Sequence, residues 1–248
     1  MTPSERLRAR LDAAMVDGGR GLSVADRLCH ACVDVLEVDG AAISVVNAGA
    51  TRGTFGSSGD MSRWLDELQF TFGEGPCLDA VSTGRPVLVP DLAGSGGQRW
   101  PAFTGAAIDQ GVRAVFALPV AVDSEPVAAL DLFRGISGAL TSDGLTGGLL
   151  AAELAALPLL DLMTDDVDWQ AAGDGGAGWV ELDSLDRVEV YQATGMIMIQ
   201  LDVGPTEALA RLRAHAFAEG QTASEVAWSV VERRLSFDGH RTVPGADA

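Results

Sequence analysis

Apolar and polar positions alternate along this chain with two different periods, and the change of period divides it. Leu7, Leu11 and Met15 recur at four-residue spacing, and Asp17-Gly18-Gly19 breaks that short helical stripe. From Gly21 a second stripe places Ala25, Leu28, Cys29, Cys32, Val35 and Leu36 on one helix face and ends at Asp39-Gly40. Two strand-like runs follow, AAISVVN (41–47) and TRGTFGSS (51–58), joined by Ala48-Gly49-Ala50. Residues 60–75 hold Trp64, Leu65, Leu68, Phe70 and Phe72 and close on Gly73-Glu74-Gly75-Pro76. A helix is expected over Cys77–Thr83, a strand over PVLVP (86–90), and a glycine-rich loop leading to a short helix that ends at Gly111. RAVFALPVAV (113–122) and PVAALDLFR (126–134) read as a hairpin turning at Asp123-Ser124-Glu125. Hairpins with helices before and between them give an α+β class with one mainly antiparallel sheet.

Beyond residue 145 the period is helical. Residues 145–163 are Ala/Leu-rich, and Leu149, Leu150, Leu154 and Leu157 form a seam suited to a homodimer. The stretch 164–180 is acidic and Gly-rich, the best domain boundary in the chain. Three amphipathic segments then fill residues 181–237 with almost no connector. Gly204-Pro205 is an N-cap with a first-turn proline, Gly220 a helix stop, and Thr222 with Glu225 a capping box. Helices joined by turns this short pack as an all-α three-helix bundle. The expected order is thus an N-terminal helix (1–19), an α+β domain with a trailing helix (20–163), a linker (164–180), the bundle (181–237) and a disordered tail (238–248).

Composition narrows the function. No uninterrupted apolar run reaches the ~20 residues of a membrane span; LLAAELAALPLLDLM is broken by Glu153 and Pro158. The N-terminus is charged where a signal peptide would be apolar, so a cytoplasmic protein with no membrane partner is expected. The formal net charge is −18, and all 17 basic residues are arginine. Residues 181–248 alone hold 6 Arg against 11 acids, so long-range attraction to a nucleic acid is weak or repulsive and any binding must rest on a local arginine patch.

Two stretches resemble known families. The run YQATGMIMIQLDVGPTEALARLRAHAFAEGQTASEVA is similar to the ANTAR domain, on Ala193, Gly195, Met198, Glu207, Ala208, Leu212, Arg213, Ala216, Glu225, Val226 and Ala227. That resemblance implies a three-helix module binding RNA stem-loops in nascent transcripts, to control termination or translation. GEGPCLDAVSTGRPVLVPDL, WPAF, GVRAVFALPV and PVAALDLFR resemble the GAF domain that precedes ANTAR in actinobacterial GAF-ANTAR regulators. This implies a five- or six-stranded antiparallel sheet, a pocket for an unknown small-molecule ligand or redox signal, and dimerisation through flanking helices.

Candidate site residues follow from both. On the second bundle helix, Arg211 and His215 flank the buried line Leu209–Leu212–Ala216 on one side and Arg213 on the other. They are candidates for phosphate or loop-base contact, against the plainer reading of a solvated face with a Glu207–Arg211 pair. Arg233 and Arg234 either join them or only answer a helix dipole. Thr194 stands where many ANTAR members carry a basic residue, and Gly195 beside it costs up to ~1 kcal/mol in a helix unless close packing or RNA repays it. Trp228 and Tyr191 are either edge core or stacking platforms. In the GAF-like part, Trp64, Phe70, Phe72, Cys77, Trp100, Phe103 and Phe116 are the candidate ligand pocket. Free-methionine sulfoxide reductases are GAF-fold enzymes with a reactive cysteine in a similar loop, but here residues 84–113 carry no resolving cysteine. Cys29 and Cys32 lie on an apolar stripe without a second pair for zinc. The three histidines fit no metal spacing, and GSGGQR lacks the end of a phosphate-binding loop. No cofactor, metal or catalytic set is expected. The sequence therefore points to a signal-responsive RNA-binding regulator, with a second reading in which the acidic helical tail docks on another regulator.

Overall fold

Residues 8–13, 22–47, 50–172 and 187–238 are described by the structure, a computed structural model. In chain order the elements are α1 (Leu22–Leu36), β1 (Gly40–Asn47), β2 (Ala50–Ser57), α2 (Asp60–Phe72), α3 (Pro76–Thr83) and β3 (Val87–Val89). A 3-10 turn (Gly97–Arg99) leads into α4 (Pro101–Asp109), then β4 (Ala114–Val122), β5 (Glu125–Arg134) and α5 (Ser142–Ala172). The last three helices are α6 (Val188–Leu201), α7 (Pro205–Glu219) and α8 (Ala223–Val231). Two units separate at Asp186/Arg187.

In the first unit the hairpin expected at Asp123 sets the sheet. Asp123 and Ser124 take φ of 50° and 72°, the left-handed pair of a two-residue turn whose twist matches its strands. The five strands are antiparallel in the order β2-β1-β5-β4-β3. Short β3 pairs only with Val115–Ala117. From Leu118 onward β4 therefore has a neighbour on one side alone, where a strand tolerates Pro119.

Alternation along β4 and β5 builds two cores. Phe116, Leu118, Leu130 and Leu132 join Ile43 and Phe55 under α1 and α5, with Leu11 from the helical turn at 8–13. Val115 and Phe133 face the other way, against Leu65, Leu68, Trp100 and Phe103. On that same side Ala117 and Ala129 meet Cys77 and Ala80 of α3. Cys29 and Cys32 are buried in the first core, as the apolar stripe predicts, and burial pushes Cys32 up to about 12.

Three expectations need correction. Helix α5 runs through Pro158 to Ala172, so the first nine residues of the proposed linker are helical and its remainder lies outside the described residues. Residues Ser142–Leu160 accordingly reach spanning length, but half of them are buried, with Ala151, Ala152, Leu154, Ala155 and Leu159 in the sheet core. The leucine seam also splits: Leu154 is buried, Leu150 packs partly on the core, and Leu149 and Leu157 are exposed together with Leu160. Leu7, Met15 and the tail beyond Asp238 lie outside the described residues.

The second unit follows its capping signals. Gly204 caps α7, Pro205 opens it, and Gly220 (φ 64°) ends it. Thr222 Oγ1 accepts the Glu225 N–H while Glu225 takes the Thr222 N–H at 2.8 Å, the reciprocal pair expected at the start of α8. The bundle core is made largely of small residues: Val190, Ala193 and Ile197 meet Ala208, Leu212, Ala216, Ala223, Val226, Ala227 and Val230. With so little area to bury, each cap carries a large share of this unit's stability. Thr222→Ala is expected to cost about 1 kcal/mol, read as an earlier midpoint in chemical denaturation.

Candidate functional site

The face of the sheet under α2 and α3 carries a buried polar cluster. Gln69 on α2 donates from Nε2 to Asp131 Oδ2 of β5 (2.7 Å), and its Oε1 accepts the N–H of Cys77 at the start of α3 (2.8 Å). Thr54 Oγ1 donates to Asp66 Oδ2 at 2.6 Å. Burial pushes the Asp131 carboxyl up to about 8; Gln69 opposes that shift and the nearby Asp66 charge adds to it. The Cys77 thiol is raised well above its ordinary value by burial, and further by Asp131 and Asp66. A thiol held protonated in this way is a poor nucleophile.

Each residue of Gly73-Glu74-Gly75-Pro76-Cys77 has a fold reason. Gly73 ends α2 in the left-handed conformation (φ 65°) and Pro76 opens α3. Gly75 (φ 149°) lies against the Gln69 amide, where a Cβ would come within 2.3 Å of Oε1. Glu74 reaches across to α4 and accepts the N–H groups of Ala102 and Phe103 (2.7 and 3.1 Å), capping that helix from another element.

Beside this motif lies a depression of about 370 Å³ lined by Gly73, Glu74, Leu78, Asp79, Ser82, Arg99 and Trp100. Arg99 pairs with Asp79 and its guanidinium sits 4.8 Å over the Trp100 ring. Of the expected pocket aromatics only Trp100 lines it. Trp64, Phe72, Trp100 and Phe103 pack in one core, Phe70 is buried, and Phe116 belongs to the opposite face of the sheet, so these residues do not share one pocket. The signal for Phe116 was in the sequence, since Phe116 is out of step with Val115 and Ala117 in the strand alternation.

In the second unit the expected cations are mostly engaged. Arg211 pairs with Glu207 at 3.0 Å and Arg234 with Glu232 at 2.6 Å. Arg213 is half-buried, and His215 meets the edge of Phe237 with ring centroids 5.4 Å apart. Thr194 Oγ1 donates to the Val190 carbonyl one turn back (2.7 Å). Gly195 is half-buried, yet a Cβ there would meet nothing within 4 Å. Close packing within the chain is therefore not what keeps it a glycine. Tyr191 (65% exposed), Ile199 (87%) and Trp228 (50%) lie at the surface. Sequence reasoning missed Gln200 and Leu235, which with Arg233 line a cavity in this unit.

The family model for the GAF domain matches residues 23–156, and that for the ANTAR domain matches residues 183–231. No curated protein matches the chain. Among solved structures it is similar to the GAF domain of a phosphoenolpyruvate-protein phosphotransferase from Acinetobacter, with a TM-score of 0.55 at 9% identity over 66% of this chain and 97% of that one. The GAF domain of a phosphoenolpyruvate-protein phosphotransferase from Coxiella burnetii gives 0.53 at 11%, over 66% and 96%. At these identities the likeness shows the fold alone.

Two measurements check the cluster. Asp131 binds a proton in the folded chain that an unfolded carboxyl of ordinary value 3.8 releases, so its contribution to stability falls as pH rises from about 4 to about 8 and levels off above. Asp131→Asn still offers Gln69 an oxygen and is expected to gain in melting temperature relative to wild type across that window. Gly75→Ala is expected to cost about 2–4 kcal/mol, read by denaturant titration.

Proposed function

This chain belongs to the GAF-domain family and carries an ANTAR domain behind its GAF domain, and from that premise we propose that it binds RNA stem-loops under the control of a signal received by the GAF domain. The domain pairing makes it a signal-responsive regulator of the ANTAR type. In the finer reading, the ANTAR domain engages paired hairpins in nascent transcripts and so controls termination or translation. A cytoplasmic homodimer brings two ANTAR domains to the paired hairpins.

The observation that carries this reading is the outward face of α6. Val188, Tyr191, Gly195 and Ile199 fall at i, i+3, i+7 and i+11, one stripe of a helix, opposite the buried Val190, Ala193 and Ile197. At its middle Gly195 leaves open space. A surface with a bare backbone and an exposed aromatic ring lets nucleic acid approach closely and stack. Arg211, Arg213, Arg233 and Arg234, on α7 and after α8, are the candidate cations for the phosphates, His215 is a further candidate contact, and Thr194 adds no charge.

For dimerisation, Leu149, Leu157 and Leu160 give α5 an exposed apolar line. For the signal, the small molecule enters the depression lined by Glu74, Asp79, Ser82, Arg99 and Trp100, where Arg99 and Asp79 already pair. A second reading, docking on another protein, draws on the same unit: Arg211 and Arg234 already carry their own counter-ions, and Phe217 and Trp228 are exposed apolar residues.

The test is binding of the purified chain to an RNA with two adjacent hairpins of six-base loops, across a salt series, against the same RNA with altered loop bases. Loop-dependent binding that weakens with salt is expected, and Tyr191→Ala should cost about 1–3 kcal/mol of it. No binding at low salt transfers the conclusion to the protein-docking reading.

A further inference from the structure

Within the ANTAR unit, α6, α8 and the chain after α8 border a cavity of about 200 Å³ lined by Met196, Gln200, Val230, Arg233, Leu235 and Ser236. Two polar groups on it are unspent. The Gln200 Oε1 accepts the Phe237 N–H (2.9 Å), and its amide nitrogen has no partner among the described residues. Arg233 likewise has no counter-ion among them, whereas Arg211 and Arg234 each have one. The adjacent carboxylate, Glu232, pairs with Arg234 instead.

Arg233 is also held in an unusual backbone. Its φ is 60°, and it closes α8 with Arg233 N–H on the Val230 carbonyl and Arg234 N–H on the Ser229 carbonyl (2.9 and 2.8 Å). That is the helix stop normally given to glycine, and α7 ends the same way on Gly220 at φ 64°. An arginine kept where glycine is less strained points to a use for its side chain.

We propose that this cavity receives one unpaired nucleotide of an RNA loop. Met196 and Leu235 pack against the flat base, the Gln200 amide N–H donates to an acceptor on its edge, and Arg233 meets its phosphate. A nucleotide combines in one unit the three things the cavity asks for: an apolar plane, a polar edge and an attached anion. This inference rests on the RNA-binding reading, and the experiment separates the two.

The two-hairpin RNA is titrated against wild type, Arg233→Gly and Met196→Trp, the latter filling the cavity, with an abasic site walked through the six loop positions. Arg233→Gly is expected to raise the melting temperature while weakening loop-dependent binding about tenfold, so that the loss is not one of folding. One loop position is expected at which removing the base weakens wild type and adds nothing to the loss in Met196→Trp. Wild-type binding that neither substitution changes overturns the nucleotide cavity and leaves RNA binding standing. Absence of wild-type binding to either RNA at low salt overturns both.

Discussion

The GAF unit depends on one buried amide. Gln69 is buried with a donor and an acceptor to satisfy, and it satisfies them with Asp131 of the central hairpin and the Cys77 N–H of α3. One side chain thereby ties two successive helices to a strand 62 residues further on. Unmet, either group would cost about 1–3 kcal/mol, so α2, α3 and β5 are mutually constrained. Gly75 makes the approach possible, and Asp131 stays largely neutral because its burial is otherwise too costly. The Gly73–Cys77 motif is the fastening of the α2–α3 layer, and its cysteine is buried by the same arrangement.

The ANTAR unit is held differently. Its core is mostly alanine and valine, so its helix ends matter as much as its interior. Its larger apolar side chains, Tyr191, Ile199, Phe217 and Trp228, are on the outside. An acidic chain that keeps its aromatic rings at the surface and pairs most of its cations internally has little long-range attraction to RNA to draw on. What it retains is contact chemistry: open backbone, rings and, among the described residues, the Arg233 guanidinium without a counter-ion.

Much of this was legible from residue pattern. The hairpin at Asp123, the strand limits and the three caps of the bundle follow from local chemistry, since turn and cap geometry is decided within a few residues. The polar cluster was not legible. Helix α2 buries Ser62, Asp66, Gln69 and Thr71, and polar residues facing inward erase the periodicity from which a helix is read. Nor does an arginine advertise the left-handed backbone of Arg233, which is set by how α8 meets the segment returning to Gln200. The seam on α5 failed for a third reason: leucines at adjacent positions face both the sheet and solvent, and spacing alone does not say which side is covered.

Pro119 has a consequence beyond its own strand. The part of β4 that β3 leaves uncovered would otherwise present a free ladder edge, the kind of surface on which a stray strand from another molecule can grow and seed aggregation. Pro119 has no N–H to offer such a strand. The short reach of β3 therefore leaves a stretch of β4 whose edge is one donor poorer at Pro119.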